Sequence, residues 1–175
     1  GQVRMAEGKI QSVSMARVPF NDAQLKRLAS LTGLEKLNLD GTDVTDLGLD
    51  AIAGLTNLRD LSLSFTSVSD RGLQALAPLK NVRRLSLAGA KVSGSGFSHL
   101  TGWSEIREMD LTSTQIADEA MPHIAKMSML VRVQLGYTDI TDSGMEPLGK
   151  LPNLAILDPI WTTAYIEIGR ASCRE

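Results

Sequence analysis

The chain has 175 residues, 43% hydrophobic and 22% charged, with a formal net charge of −2 and one cysteine. That bounds it to one globular domain, and without the basic excess of a nucleic-acid binder no nucleic-acid partner is expected. No apolar run reaches the length of a membrane span, so no membrane insertion is expected, and the opening GQVRMAEGKI lacks a signal-peptide core, which leaves localisation open.

Residues 1–6 read as an N-terminal flank. From Glu7 the chain follows a 24-residue period, with repeats starting near 7, 31, 55, 79, 103 and 127 and a partial seventh from 151. The first is the weakest, carrying Ile10, Val13, Met15, Phe20, Leu25 and Leu28 at its core positions. The second and third, LTGLEKLNLDGTDVTDLGLDAIAG and LTNLRDLSLSFTSVSDRGLQALAP, match at nearly every apolar position. With the opening residue as position 1, positions 7 and 9 (Leu37 and Leu39, Leu61 and Leu63) alternate as in a half-buried strand expected over positions 6–10. Positions 19 and 22 (Leu49 and Ile52, Leu73 and Leu76) share one face of a short helix. In the seventh repeat Leu154 and Leu157 keep the frame, but Pro159 stands at a strand position and cannot donate to a ladder. The repeat domain is therefore expected over 7–166. The last residues, EIGRASCRE (167–175), carry no repeat position, resemble translated sequencing-adapter sequence and are read as a non-native tail; with them goes Cys173, the only cysteine.

Stretches such as Thr42 to Leu49, Thr66 to Leu73 and Thr138 to Met145 follow T-x-[IV]-[ST]-D-x-G-[LM] after each strand. The full pattern resembles a leucine-rich repeat of the 24-residue bacterial type, and is related to the cysteine-containing repeat of F-box proteins, which has Cys where this chain has Thr42, Thr66, Thr114 and Thr138. The resemblance implies an α/β solenoid, a curved right-handed stack with a parallel sheet on the concave face and short helices on the convex face. It also implies a non-catalytic protein-recognition module within a larger, bacterial protein. The alternatives are the substrate-recognition arm of an F-box-type ubiquitin-ligase adaptor, or a structural spacer that binds nothing.

The recurring polar columns have structural readings. Asp22, Asp46, Asp70, Asp118 and Asp142 precede helical turns, where a carboxylate can accept free backbone N–H groups. The Thr column is expected to bond turn backbone, and Gly48, Gly72, Gly96 and Gly144 to allow tight helix-to-strand packing. Repeat four breaks the rule with Ala90 for Thr and Gly94 for Asp, and is expected to be locally weakest, by about 1 kcal/mol. No metal or cofactor is expected. His99 and His123, the only histidines, fall on the convex side facing solvent, and no phosphate-binding glycine motif occurs, so the chain reads as a non-enzyme.

Binding residues are then sought where the register turns side chains out of the concave sheet. Position 6 alternates in sign through Lys36, Asp60, Arg84, Glu108 and Arg132, and position 5 stacks Arg59, Arg83 and Arg107 as a row suited to an acidic contact, with Asp60 and Glu108 as neutralising neighbours. Position 8 is small and polar. Position 11, at the strand end, places Phe65 and Tyr137 among Gly41, Gly89 and Ser113, and exposed aromatics beside arginine suit a protein interface. The candidate partner-binding residues are Arg59, Phe65, Arg83, Arg84, Arg107, Glu108, Arg132 and Tyr137, for a protein or peptide of unknown identity. An uncapped last repeat is expected to favour end-to-end self-association.

Overall fold

The computed structural model describes residues 1–6 and 8–158. Each repeat delivers one strand to a single sheet in chain order: β1 (Gln2–Ala6), β2 (Lys9–Ser14), β3 (Lys36–Asn38), β4 (Asp60–Ser62), β5 (Arg84–Ser86), β6 (Glu108–Asp110), β7 (Arg132–Gln134) and β8 (Ile156–Asp158). β2 to β8 are parallel and stay in register, so that Leu37, Leu61, Leu85, Met109, Val133 and Leu157 stand side by side. β1, within the stretch read from sequence as a flank, pairs antiparallel with β2. Pro159 and residues 167–175 lie outside the described residues, as does the expected end-to-end contact of the last repeat.

β3 to β8 cover positions 6–8 rather than 6–10, and β2 starts three residues earlier. Backbone pairing continues past them, with Leu39 N–H donating to Ser62 O at 2.9 Å and Gly41 N–H to Ser64 O at 2.8 Å. Extended geometry is then lost because position 11 is left-handed in every complete repeat: Arg17, Gly41, Phe65, Gly89, Ser113 and Tyr137 all have φ between 55° and 66°.

Behind the sheet run short helical segments: α1 (Asp22–Leu25), α2 (Asp46–Leu49), α3 (Asp70–Leu76), α4 (Met121–Ile124) and α5 (Asp142–Leu148), with 3-10 turns at Ser95–Leu100 and Asp118–Ala120. A helical segment is wider than the spacing between strands, about 10 Å against 4.8 Å, so stacking bends the sheet and leaves it concave. Between the layers lies one continuous core. Leu25, Leu49, Leu73, Phe97, Met121, Ile124 and Leu148 from the helical side meet the strand leucines, and Trp103 is buried as its core position requires. Four repeats close their turns internally through a side chain: the hydroxyls of Thr42, Thr66, Thr114 and Thr138 donate to the carbonyls of Leu39, Leu63, Leu111 and Leu135 at 2.6–2.7 Å. These threonines are buried and satisfied, as expected for the column.

The aspartate column works differently from the sequence reading. These residues are the first helical residue, not the cap, and the caps are Asn21, Thr45, Ser69 and Thr141. Four of the carboxylates, those of Asp22, Asp46, Asp70 and Asp118, reach forward to the capping turn of the next repeat. Asp46 accepts from Ser69 N–H at 2.7 Å and Ser69 Oγ at 2.6 Å, and Asp22 holds Thr45, Asp70 holds Ser93 and Asp118 holds Thr141 in the same way. The glycines make room for this clamp: a Cβ at Gly48, Gly72 or Gly144 would collide with the carboxylate of Asp22, Asp46 or Asp118. Their close neighbour is the preceding repeat's aspartate, not a strand. A second link crosses some seams, as Asn57, Asn81 and Asn153 Nδ2 donate to the carbonyls of Thr32, Thr56 and Ser128 at 2.8–2.9 Å.

Between repeats four and five the clamp is absent as a unit. Gly94 replaces the aspartate, Ala117 the hydroxyl cap, and Ala120 the glycine, so a Cβ at Gly94 would collide with that of Ala120. Glu105 stands where asparagine bridges other seams. Repeat four itself is rescued from behind, because Asp70 also accepts from Gly94 N–H at 3.0 Å and Gly96 N–H at 2.9 Å. Gly94 itself makes no side-chain cap bond, as expected from sequence, and the next repeat lacks one as well, at Ala117. Repeat five also holds Trp103 Nε1 and His123 Nδ1, buried without a hydrogen-bond partner. His123 is thus only half-exposed, unlike the exposed His99.

Candidate functional site

The concave face is built from the outward positions of β2 to β7, and it holds a basin of about 490 Å³ over the middle strands. Along position 6 the alternating charges pair across strands: Asp60 takes Lys36 Nζ at 2.7 Å on one side and Arg84 Nε at 3.1 Å on the other. Burial raises the Asp60 carboxyl, but hydrogen bonds from Lys36 and Arg84, with their charges, outweigh it and hold the group below its ordinary value. Asp60 is saturated by its neighbours. Glu108 and Arg132 continue the row on adjacent strands, paired in register.

At the strand starts, backbone bonds put Arg59, Arg83 and Arg107 on successive strands, with Arg83 N–H donating to Arg59 O at 2.7 Å and Arg107 N–H to Arg83 O at 2.8 Å. Their carboxylate partners are not the expected Asp60 and Glu108. Glu35 lies 3.8 Å from Arg59, and Glu105 lies 3.9 Å from Arg83. Exposed pairs at these distances are weak, and Arg107 has no carboxylate within ion-pair distance among the described residues, so this rim stays positive.

The strand ends carry the aromatics. Phe65 is 68% exposed and Tyr137 59%, each on left-handed backbone. A bulky residue there costs on the order of 1 kcal/mol relative to glycine, which the same column uses at Gly41 and Gly89. The Phe65 ring leans across the next repeat, into the space a Cβ on Gly89 would need.

Between the rims lies a polar network that the column-by-column reading missed. Asp40 Oδ1 accepts from Ser62 Oγ at 2.5 Å and Ser64 N–H at 2.9 Å; Ser64 and Ser86 share a hydroxyl bond at 2.7 Å; and Asp110 Oδ2 accepts from Ser86 Oγ at 3.4 Å. Neither carboxylate has a cationic partner among the described residues. Asp40, Ser64, Ser86, Asp110 and Phe65 line one hollow, with Arg17 at its first-repeat edge. Position 10, where Asp40 and Ser64 follow one another, was the available signal.

Among the described residues no group of three or more His, Cys, Asp or Glu is arranged to hold a metal ion, and no helix is long and apolar enough to cross a membrane. The two histidines lie one repeat apart on the side away from this face.

Comparison with known proteins agrees with the geometry. A Leucine rich repeat family model matches residues 32–92, and a second Leucine Rich repeat model matches 126–149. Among solved structures, an internalin (inlF) from Listeria monocytogenes is similar over 84% of this chain with TM-score 0.69 and 23% identity. An internalin C2 from the same organism is similar over 86% of this chain and 80% of its own, with TM-score 0.61 and 21% identity. The chain spans 40% of the inlF structure. At these identities the likeness is one of fold. No match is found among curated proteins.

Proposed function

The chain is a leucine-rich repeat protein, and from that premise we propose that residues 7–166 form a non-catalytic recognition module whose concave face binds a protein or peptide partner. The observation that carries the reading is Phe65, a large aromatic kept more than two-thirds exposed on strained backbone beside charged strands. The fold sets left-handed backbone at this column in every complete repeat, and glycine fills it without cost at Gly41 and Gly89, so an exposed aromatic kept there marks a position held for another purpose. Tyr137 repeats the arrangement three strands away, and Arg59, Arg83, Arg84, Arg107, Glu108 and Arg132 supply the polar surround typical of an interface hot spot.

The test is selection of peptides from a random displayed library on the intact chain, followed by measurement on the combined variant Phe65→Ala, Arg84→Ala and Tyr137→Ala. Selected peptides are expected to lose at least about tenfold in affinity while the thermal midpoint stays close to that of the parent. Unchanged affinity would remove the assignment of the face. A library that yields no binder would favour the spacer reading, to which the self-paired position 6 row gives some support. No feature of the described residues favours the F-box adaptor reading.

A further inference from the structure

The two rims of the concave face carry opposite charge. The strand starts present Arg59, Arg83 and Arg107, with only two distant carboxylates to answer them. The strand ends present Asp40 and Asp110, each bonded only to hydroxyls and backbone N–H groups, beside the exposed Phe65 ring. The position 6 row between them neutralises itself through Lys36, Asp60 and Arg84. Serine hydroxyls floor the remainder. A face charged this way is complementary to a dipolar segment, not to a uniformly charged one.

We propose that this face selects an extended protein segment lying along the strand direction, with an acidic side chain over the Arg59, Arg83 and Arg107 rim, an apolar side chain against Phe65, and a basic side chain over Asp40 and Asp110. The inference rests on the concave-face reading above and deepens it. The spacing follows from the backbone. From position 5 to Asp110, at position 8 of its repeat, is about 10 Å, and to Asp40, at position 10 of its own, about 17 Å, so an extended peptide spans the gap in three to five residues. The acidic and basic residues of the partner therefore stand about four apart. Asp40 and Asp110 are suited to receive a guanidinium because each uses only part of its acceptor capacity internally, whereas Asp60 is already held by two cations. Arg17 is the cation nearest this hollow, and it makes no ion pair with either carboxylate.

The probes are three synthetic peptides, Ac-Glu-Ser-Leu-Ser-Arg-NH2, its Glu/Glu counterpart and its Arg/Arg counterpart, titrated into the isotope-labelled chain and followed by backbone amide shifts. The mixed-charge peptide is expected to shift amides on both rims, near Arg83 and Arg107 and near Ser64 and Thr112. It should bind about tenfold more tightly than either like-charged peptide. Asp40→Asn with Asp110→Asn should reduce that preference to about unity. Asn at both sites retains the oxygen that accepts from Ser62, Ser64 and Thr112, so the sheet is preserved; Arg83→Gln with Arg107→Gln provides an independent second variant with the same expected outcome. Equal binding of all three peptides to the parent chain, or a preference that survives both variants, would overturn the charge-ordered reading. In that case peptides selected from the library would still depend on Phe65, Arg84 and Tyr137. Shifts confined to the helical side would overturn this inference and the concave-face reading together.

Discussion

Two sets of aspartates occupy the same repeats and do different work. On the helical side Asp22, Asp46, Asp70 and Asp118 have both carboxylate oxygens engaged by the next repeat's cap. On the concave floor, among the described residues, Asp40 leaves Oδ2 without a partner, Asp110 Oδ2 accepts only a long bond of 3.4 Å, and neither carboxylate has a cation. Residue type alone does not separate them; saturation does. A carboxylate whose partners are all its own neighbours holds repeats together, and one left partly open on a shaped surface is available to a partner.

The sharpest way to break this contrast is to crowd a clamp. A Cβ at Gly96 would meet Asp70 O at 2.6 Å and Asp70 Cα at 2.9 Å, both backbone atoms that cannot swing aside. Gly96→Ala is expected to cost about 3 kcal/mol in denaturant unfolding. The same column tolerates Ala120, because Gly94 stands opposite it. Next in size is Asp46→Ala, which strips Ser69 of two hydrogen bonds at a half-buried seam and should cost about 2 kcal/mol with no effect on peptide affinity. Asp40→Asn should do the reverse, leaving the unfolding midpoint near the parent's and weakening the peptide. If the two substitutions changed stability equally, saturation would not be the distinguishing property.

The fourth and fifth repeats sharpen the comparison further. Gly94→Asp alone should destabilise, since its side chain meets Ala120 and its backbone has φ of 118°. Adding Ala117→Thr and Ala120→Gly supplies the missing cap and the missing space, so the triple variant should recover about 1–2 kcal/mol relative to the single one. Additive losses in unfolding experiments would contradict the view that the clamp is exchanged as a unit.

The solenoid, its register and its core columns were legible because every repeat re-states them, and a 24-residue period leaves few other ways to bury Leu37, Leu61 and Leu85 together. The threonine bonds were legible because they close within one turn. The aspartate clamps were not read correctly, since their partners lie 23 residues away, and a local reading assigns a carboxylate before a helix to that helix. The signal was present in the joint departure of Gly94, Ala117 and Ala120 from their columns. The candidate rim residues were found from outward strand positions, but the left-handed column needed coordinates, although Gly41 and Gly89 share it with Phe65 and Tyr137. The floor network was missed because Ser64 and Ser86 are unremarkable singly and acquire their role only across strands.

The smallest expected effect is on pH dependence. Burial raises the Asp70 carboxyl, but hydrogen bonds from the Ser93 hydroxyl and from the N–H groups of Gly96, Ser93 and Gly94 outweigh it and hold the group below its ordinary value of 3.8. A carboxyl depressed in the folded state stabilises fully above its unfolded pKa and loses that contribution as pH falls through the folded value. Stability from Asp70 should therefore be constant above about pH 5 and decline below about pH 4, modestly because the group is largely solvated. Asp70→Asn should flatten that acid limb in thermal scans; an unchanged limb would place the acid sensitivity elsewhere.

The most direct test of the account is the hydrogen-exchange footprint of a library-selected peptide on the full chain. Recognition by the concave face predicts slowed exchange along residues 59–65, 83–89 and 107–113, with the helical turns at 46–52, 70–76 and 142–148 unchanged. Protection confined to those turns would contradict it.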